Sequence, residues 1–247
     1  HKSMLHQIDP SEKVISEVCK LLKTLEISQL LHVANIKKSC GISVQQVFKF
    51  IFLLALFGKN QYRFLGSKRG QGLPRKDVYY HFLNNPHYAW RRFLLMLASK
   101  VTDTFDHLTS DKRVRAFIID DSPIARNRIK KAELLARVFD HSQQSFIKGF
   151  NMLTLGWTDG YSFVPVDFSM LSSAKETNRY NDAAAFIDKR THGFKRRLEA
   201  VMQKPDVVPK LIKNAFFFKA SKSLLKLGTE YQGRSYDMMI AHTTIIS

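Results

Sequence analysis

Apolar residues recur at helical spacing through the first part of the chain. After the sequence Asp9-Pro10-Ser11-Glu12, which is typical of a helix start, Ile15, Val18, Leu22 and Leu25 follow one another at intervals of three or four residues. This spacing places them on one face of an amphipathic helix. The same periodicity continues to about residue 110, so the sequence predicts a helical N-terminal region.

Local signals position further helices in this region. Ser43 precedes an apolar run that ends at Gly58, which predicts a helix capped by the Ser43 hydroxyl. Pro86 introduces another helix, in which Trp90 and Phe93 begin an apolar face. Residues 66–76 between these helices are rich in glycine and basic residues, and we expect a flexible, cationic linker there.

From about residue 113 the pattern becomes that of strands. Residues 114–119 form a short apolar run that ends at Asp120 and Asp121. Residues 150–157 and 161–171 form two more runs, and the Asp159-Gly160 turn between them is typical of a β-hairpin. Helices followed by strands predict an α+β protein, in which residues 126–137 form an electropositive connection.

The charge of the chain points to a polyanionic partner. Lys and Arg number 39 against 21 Asp and Glu, a net charge of +18, and such an excess suits phosphate backbones. An acidic membrane surface and a basic surface without a specific ligand are the alternatives. The apolar segment of residues 47–57 is too short to span a bilayer, and two cysteines suit a reduced, cytoplasmic protein.

Several residues are candidates for chemistry, each with a structural alternative. Asp140-His141 could bind a metal or cap a turn, and Trp157 and Phe163 could stack on a base or lie in the core. Ten basic residues are predicted to contact DNA, with a solvated face as the alternative: Arg75, Lys76, Arg91, Arg92, Arg126, Arg128, Lys130, Lys131, Arg196 and Lys222.

The adjacent carboxylates of Asp120 and Asp121 are the candidate catalytic residues. A strand fixes its backbone, so it can hold a metal-binding carboxylate rigidly. The alternative is an acidic pair that caps the turn after the strand. Because neighbouring side chains on a strand face opposite ways, only one of the two is expected to be a direct ligand.

Three segments resemble the catalytic domain of DDE transposases of the insertion-sequence-4 type. They are Ile-Asp-Asp-Ser-Pro at 119–123, Glu-Leu-Leu-Ala-Arg-Val-Phe-Asp-His-Ser at 133–142, and Lys-Gly-Phe-Asn-Met-Leu-Thr-Leu-Gly-Trp-Thr-Asp-Gly at 148–160. The resemblance implies a ribonuclease H-like core that binds transposon-end duplex DNA, then cleaves and joins it with Mg²⁺ or Mn²⁺. It assigns the first metal-binding acid to Asp120, with Asp121 in reserve.

The sequence departs from that family toward its end. Residues 217–223 resemble the helix of the family's third acid, but Ala215 stands at the Glu position, and no second Asp precedes it. An internal deletion near residues 214–215 explains both gaps. The alternative is that Asp159, Glu230 or Asp237 substitutes.

Two functions therefore remain open: a cut-and-paste transposase, or a non-catalytic DNA-binding remnant that at most inhibits intact copies. A metal-dependent nuclease unrelated to transposition is a third. The first is favoured by ancestry, whereas the missing acids favour an inactive copy. The expected partners are DNA and a second copy of the chain, with no membrane and no small-molecule cofactor, in the nucleoid of a bacterium or archaeon.

The predicted organisation has three parts. Residues 1–110 form a helical DNA-binding region, 111–214 the first half of a truncated ribonuclease H-like core with a mixed sheet, and 215–247 a remnant of the late catalytic helix. Asp120 is expected at the end of a central strand, beside the 150–171 hairpin and facing open space. Residues 205–247 are expected to be loosely attached.

Overall fold

The computed structural model of the chain describes residues 12–108 and 113–227, with the side chains of the last helix described as far as Phe217. This part of the chain is an α+β protein with eight α-helices and four strands. The helices are α1 Glu12–Thr24, α2 Ile27–Val33, α3 Val44–Leu56, α4 Gln61–Leu65, α5 Lys76–Leu83, α6 Trp90–Leu108, α7 His192–Ala200 and α8 Lys204–Leu227. The strands are β1 Ala116–Ala125, β2 Ala136–Asp140, β3 Ser145–Thr158 and β4 Phe163–Leu171.

The chain divides into two compact units. The first contains the described residues up to Phe93 together with Ala184–Leu198, and the second contains Leu94–Ala183 with the described residues from Glu199 onward. The first unit is helical, and the second contains the sheet and α8. No helix among the described residues is both long enough and apolar enough to cross a membrane.

Aromatic packing holds the helices of the first unit together. Phe50 of α3 is fully buried and contacts Tyr79 of α5, with ring centroids 4.8 Å apart, and Phe64 of α4 at 6.0 Å. The predicted cap of α3 is confirmed, because the Ser43 hydroxyl accepts a hydrogen bond from the backbone N–H of Gln46. These contacts fix α3, α4 and α5 as one block.

The sheet of the second unit is centred on β3. The long β3 strand pairs antiparallel with β1 over its whole second part, from Ala116 opposite Thr158 to Ala125 opposite Gly149. On its other edge β3 pairs antiparallel with β4, and its first residues pair with β2. The β3–β4 hairpin agrees with the prediction, whereas β2 was not predicted and begins at the end of the segment that was expected to be a connection.

The turn between β3 and β4 is held by the side chain of Asp159. Its carboxylate accepts hydrogen bonds from the backbone N–H groups of Tyr161 and Ser162 and lies 2.7 Å from the Arg113 guanidinium. These interactions lower the pKa of Asp159 to about 2. The interpretation of Asp159 as a turn residue, and not as a substitute catalytic acid, is thus supported by its contacts.

Helices cover one face of this sheet, called here the α8 face. The alternate residues Asn151, Leu153, Leu155 and Trp157 of β3 are buried there. Between them, Met152 and Thr154 are only half-buried and lie on the opposite, open face. The α8 face packs against buried residues of α6 and α8, namely Leu95, Ala98, Val207, Leu211 and Ala215.

The expected loose attachment of the chain after residue 205 is wrong for the first half of α8. Val207 and Leu211 are fully buried, and Ala215 is 4% exposed. Their spacing of four residues places all three on the side of the helix that faces the sheet. Apolar burial at regular spacing therefore attaches α8 firmly, even without further strands.

The α8 contact yields a stability prediction. Leu211→Ala should lower the free energy of unfolding by about 2–5 kcal/mol, because it removes buried apolar surface and leaves a cavity. Urea unfolding followed by circular dichroism would measure this. The matched control is Leu198→Ala, since Leu198 is 55% exposed and its loss should cost about 0.5 kcal/mol or less. Equal effects of the two changes would mean that α8 does not pack on the sheet in solution.

Candidate functional site

The two adjacent acids lie within β1 and point to opposite faces of the sheet. Asp120 is paired with Thr154 of β3, and Asp121 with Leu153. Since Leu153 is buried on the α8 face, Asp121 is on that face and Asp120 on the open face. The strand continues to Ala125, so the prediction that it ends at the acidic pair is wrong.

Asp120 is exposed and carries a single short-range contact. Its Oδ2 accepts a hydrogen bond of 3.0 Å from the hydroxyl of Ser122, two residues along the same face. The predicted position beside the hairpin and the predicted exposure are both confirmed. The predicted central position is wrong within the described residues, because β1 pairs there with β3 alone.

Asp121, in contrast, forms an ion pair with a lysine side chain. Its Oδ2 accepts hydrogen bonds from the ammonium group of Lys204, the first residue of α8, and from the side-chain amide of Asn151 at 3.3 Å. The Lys204 ammonium and, to a lesser degree, Asn151 lower the pKa of Asp121. Lys204 therefore neutralises the acid whose sequence position made it the reserve metal ligand.

Position 215, where the family's third acid is expected, lies away from Asp120 and Asp121. Ala215 lines a small apolar cavity of about 30 Å³ together with Phe117 and Trp157, and the next residue, Phe216, packs edge-on against Phe117 at 5.5 Å. Phe117 is four residues from Asp121 along β1, a distance of about 13 Å at 3.3 Å per residue. A carboxylate at position 215 would therefore not reach the acidic pair.

Asp167, a fully buried acid of β4, was not among the residues predicted from the sequence. Its Oδ1 accepts the N–H of Phe168 at 2.8 Å, and its Oδ2 accepts the side-chain amide of Asn214 in α8 at 3.2 Å. A bulge opposite Leu155 and Gly156 shifts the register, which brings Asp167 to the α8 face after Val166. A charged residue inside an otherwise apolar strand was the available signal.

Asp140, another acidic candidate, caps a turn. The carboxylate of Asp140 is buried and accepts the backbone N–H groups of Ser142 and Gln143, which agrees with a cap between β2 and β3. The His141 ring packs edge-on against Phe139 at 5.0 Å. Glu230 and Asp237 lie outside the described residues.

The donor set does not fit a site for two divalent ions. Two ions about 4 Å apart need several shared carboxylates, and Mg²⁺ prefers oxygen ligands. Within residues 12–108 and 113–227, no group of three or more potential ligands of the His, Cys, Asp or Glu type comes together. Asp120 and Asp121 are separated by the sheet, and Lys204 already contacts the latter.

Arg92 and Arg196, two of the residues predicted to contact DNA, both lie near His192 in the first unit. Desolvation of the His192 ring is the main factor that lowers its pKa, followed by the positive charges of Lys195 and Arg196. The charge of Arg92 acts in the same direction. Arg92 and Arg196 thus share one basic surface around His192, and Arg91 is half-buried on the same helix as Arg92.

The remaining residues that were predicted to contact DNA lie in three parts of the chain. Arg75 and Lys76 are exposed at the start of α5, and the side chain of Lys222 lies outside the described ones. In the second unit, the exposed residues Arg126, Arg128, Lys130 and Lys131 lie in the loop after β1. The side-chain amide of Asn181 donates to the backbone carbonyls of Lys130 and Ala132, which holds this loop in place.

The two aromatic candidates have different environments. Trp157 is buried and lies parallel to Phe105 with centroids 6.5 Å apart, so it is a core residue. Phe163 is 54% exposed and covers Gly156, where a Cβ atom would lie 2.1 Å from the Phe163 ring. Gly156 therefore permits the ring to lie flat on the sheet.

An α+β core that carries strand-borne acids is consistent with a transposase-like nuclease of the ribonuclease H-like class. The family model described as DDE superfamily endonuclease matches residues 74–217, which is more than half of the chain. The chain therefore belongs to the DDE superfamily endonuclease family. Comparison with curated proteins and with solved structures finds no match.

The contact between Lys204 and Asp121 can be measured by a double-mutant cycle of Lys204→Met and Asp121→Asn. We expect a coupling free energy of about 0.2–1 kcal/mol at neutral pH, because both side chains are partly exposed. The lowered pKa of Asp121 means that this stabilisation is present above the unfolded value of about 3.9 and is lost as the pH falls through the folded value.

Lys213→Met on the same helix is the matched control, since Lys213 is exposed. It should show no coupling to Asp121→Asn. A coupling of zero between positions 204 and 121 as well would mean that the ion pair does not form in solution.

Proposed function

We propose that this chain is a DNA-binding protein of the insertion-sequence-4 transposase type that does not itself cut DNA. The observation that supports it best is the ion pair between the Lys204 ammonium and Asp121, since a cation of the protein occupies the carboxylate that adjoins Asp120 and is its reserve as a metal ligand. The membership in the DDE superfamily endonucleases supports DNA as the substrate class.

The arrangement of the acids supports the inactive state. Asp120 faces away from Asp121, and position 215 lies in an apolar cavity beside Phe117. Mg²⁺, or Mn²⁺ in its place, is the cofactor that the family's chemistry implies for a complete set of acids. Among the described residues of this chain, Asp120 is the carboxylate of that set that is not paired with a lysine.

The basic surfaces support duplex binding. The chain carries a net charge of +18, and exposed cations lie at the start of α5, around His192 and in the loop after β1. Each Lys or Arg that neutralises a phosphate releases counterions, which favours association independently of sequence. A protein with these features can occupy DNA ends without cleaving them, alone or as a homodimer.

A catalytic transposase is the second candidate function. It is favoured by Asp120, whose exposed carboxylate next to the Ser122 hydroxyl matches the position of the family's first acid. In that case other acids would complete the site in the working protein. Cut-and-paste transposition would then be the reaction.

Binding and cleavage can be tested on one substrate, a supercoiled plasmid that carries the gene with its flanking DNA. We expect binding whose affinity falls steeply between about 50 and 200 mM salt, because each phosphate contact contributes about −0.9 to the slope of log affinity against log salt. We expect no nicks or joined ends with Mg²⁺ or Mn²⁺ on an agarose gel.

Asp120→Asn serves as the control for cleavage. Activity in the unchanged protein that disappears in this variant would establish the catalytic alternative. A flat salt dependence, or no binding at low salt, would contradict the proposed DNA binding.

The basic surface around His192 yields a pH prediction. The lowered pKa leaves the imidazole neutral in the free protein, and phosphates that offset the neighbouring cations should raise that pKa toward or above its ordinary value of about 6.5. Binding then takes up a proton, so duplex affinity should rise by up to about tenfold as the pH falls from about 7 to about 5.5.

Fluorescence anisotropy with a labelled duplex would measure this effect. His192→Gln should flatten the pH dependence, whereas His32→Gln, on α2 of the same unit, should leave it unchanged. Identical pH profiles for the unchanged protein and His192→Gln would show that DNA does not approach this surface.

A further inference from the structure

A cleft with a volume of about 630 Å³ opens between α4 and α5 in the first unit. It is called here the α4–α5 cleft. Its lining includes the basic side chains of Arg63, Arg75 and Lys76, the ring of Tyr62, and the apolar residues Leu73 and Pro74. A volume of this size is typical of small-ligand sites, which are about 300–1,000 Å³.

The cleft carries a net positive charge. Three cations line it against one carboxylate, that of Asp77. Arg63, Arg75 and Lys76 are exposed. The α5 helix also begins in this cleft, and no side chain caps its N-terminus, so its first backbone N–H groups add to the positive potential.

An aromatic surface stands beside these cations. Tyr62 belongs to α4 and is 67% exposed, although its neighbour Phe64 packs into the core. An exposed ring next to several basic groups is the combination by which proteins bind single-stranded nucleic acids, because bases stack on the ring while cations neutralise the phosphates. The cleft is too small for a double helix but has room for one or two nucleotides.

The walls of the cleft are fixed by the core beneath them. Phe64 of α4 and Tyr79 of α5 both contact the buried ring of Phe50. At Gly70 the chain passes so close to α4 that a Cβ atom would lie 2.6 Å from the carbonyl oxygens of Phe64 and Leu65. The segment predicted to be a flexible linker is therefore packed, and it holds the cleft open in a defined shape.

We propose that the α4–α5 cleft binds a short single-stranded segment of nucleic acid, with Arg63, Arg75 and Lys76 on the phosphates and Tyr62 stacked on a base. This inference rests on the proposed DNA binding and adds a second binding mode to it. Duplex DNA would bind over the broader basic surfaces, while an unpaired strand end enters the cleft.

The experiment uses the full chain and two fluorescent probes, a short oligothymidylate and a blunt duplex, each followed by anisotropy. The cleft variant is Arg63→Gln with Arg75→Gln and Lys76→Gln. Its matched control removes the same charge from exposed lysines elsewhere in the same unit, Lys23→Gln with Lys37→Gln and Lys59→Gln. Tyr62→Ala tests the stacking contact without a change of charge.

For the cleft variant we expect the slope of log affinity against log salt for the oligothymidylate to become shallower by about 2, as about 0.7 is lost per phosphate contact. The control should change it by less than half as much. Tyr62→Ala should weaken oligothymidylate binding at least about fivefold and leave duplex binding unchanged. Circular dichroism of each variant checks that the helices remain folded.

Three outcomes would overturn the inference. The cleft variant could match the control, Tyr62→Ala could bind the oligothymidylate normally, or inorganic phosphate could displace the probe while Tyr62→Ala has no effect, which would indicate a site for free phosphate. A protein that binds the duplex but not the oligothymidylate would retain the proposed function and lose this inference. Binding to neither probe would refute the proposed function itself.

Discussion

The alternation of side chains along β1 is the constraint on which the candidate site depends. Two acids that are adjacent in sequence must point to opposite faces of the sheet, and in the described part of the chain α6 and α8 cover one of these faces. Asp121 faces α8 and forms an ion pair with Lys204 there, whereas Asp120 faces the open side and accepts a hydrogen bond from the Ser122 hydroxyl. The two carboxylates therefore have different chemical environments, although they have the same side chain.

The packing of α8 then decides what Asp121 can do. Val207, Leu211 and Ala215 are buried at a spacing of four residues, which fixes both the rotation of the helix and its position along the sheet. That position brings Lys204 to Asp121 and Phe216 to Phe117. The apolar contacts provide most of the free energy that holds α8 on the sheet. The ion pair, which is partly exposed and therefore weak, forms because the helix is held in this position.

Local signals in the sequence were sufficient for much of this fold. The cap at Ser43 and the hairpin of β3 and β4 depend on residues close in sequence, and both were predicted. The features that were missed depend on distant partners. Lys204 contacts Asp121 across 83 positions, and Asp167 reaches the buried face through a bulge. The strand β2 was missed because its alternation is short and includes Arg137, whose guanidinium lies 3.8 Å from the Phe146 ring centroid.

A cluster of carboxylates that holds divalent ions repels itself when the ions are absent, and a fold that carries such a cluster gains stability from the metal. In the described part of this chain the acids instead have partners supplied by the protein. Lys204 binds Asp121, Asn214 donates to Asp167, and Arg113 pairs with Asp159. The pairings of Asp121 and Asp159 favour the ionised carboxylate without a bound ion, so these acids need no metal to offset their charge. A nuclease fold that satisfies its acids in this way can keep its architecture without a bound metal ion.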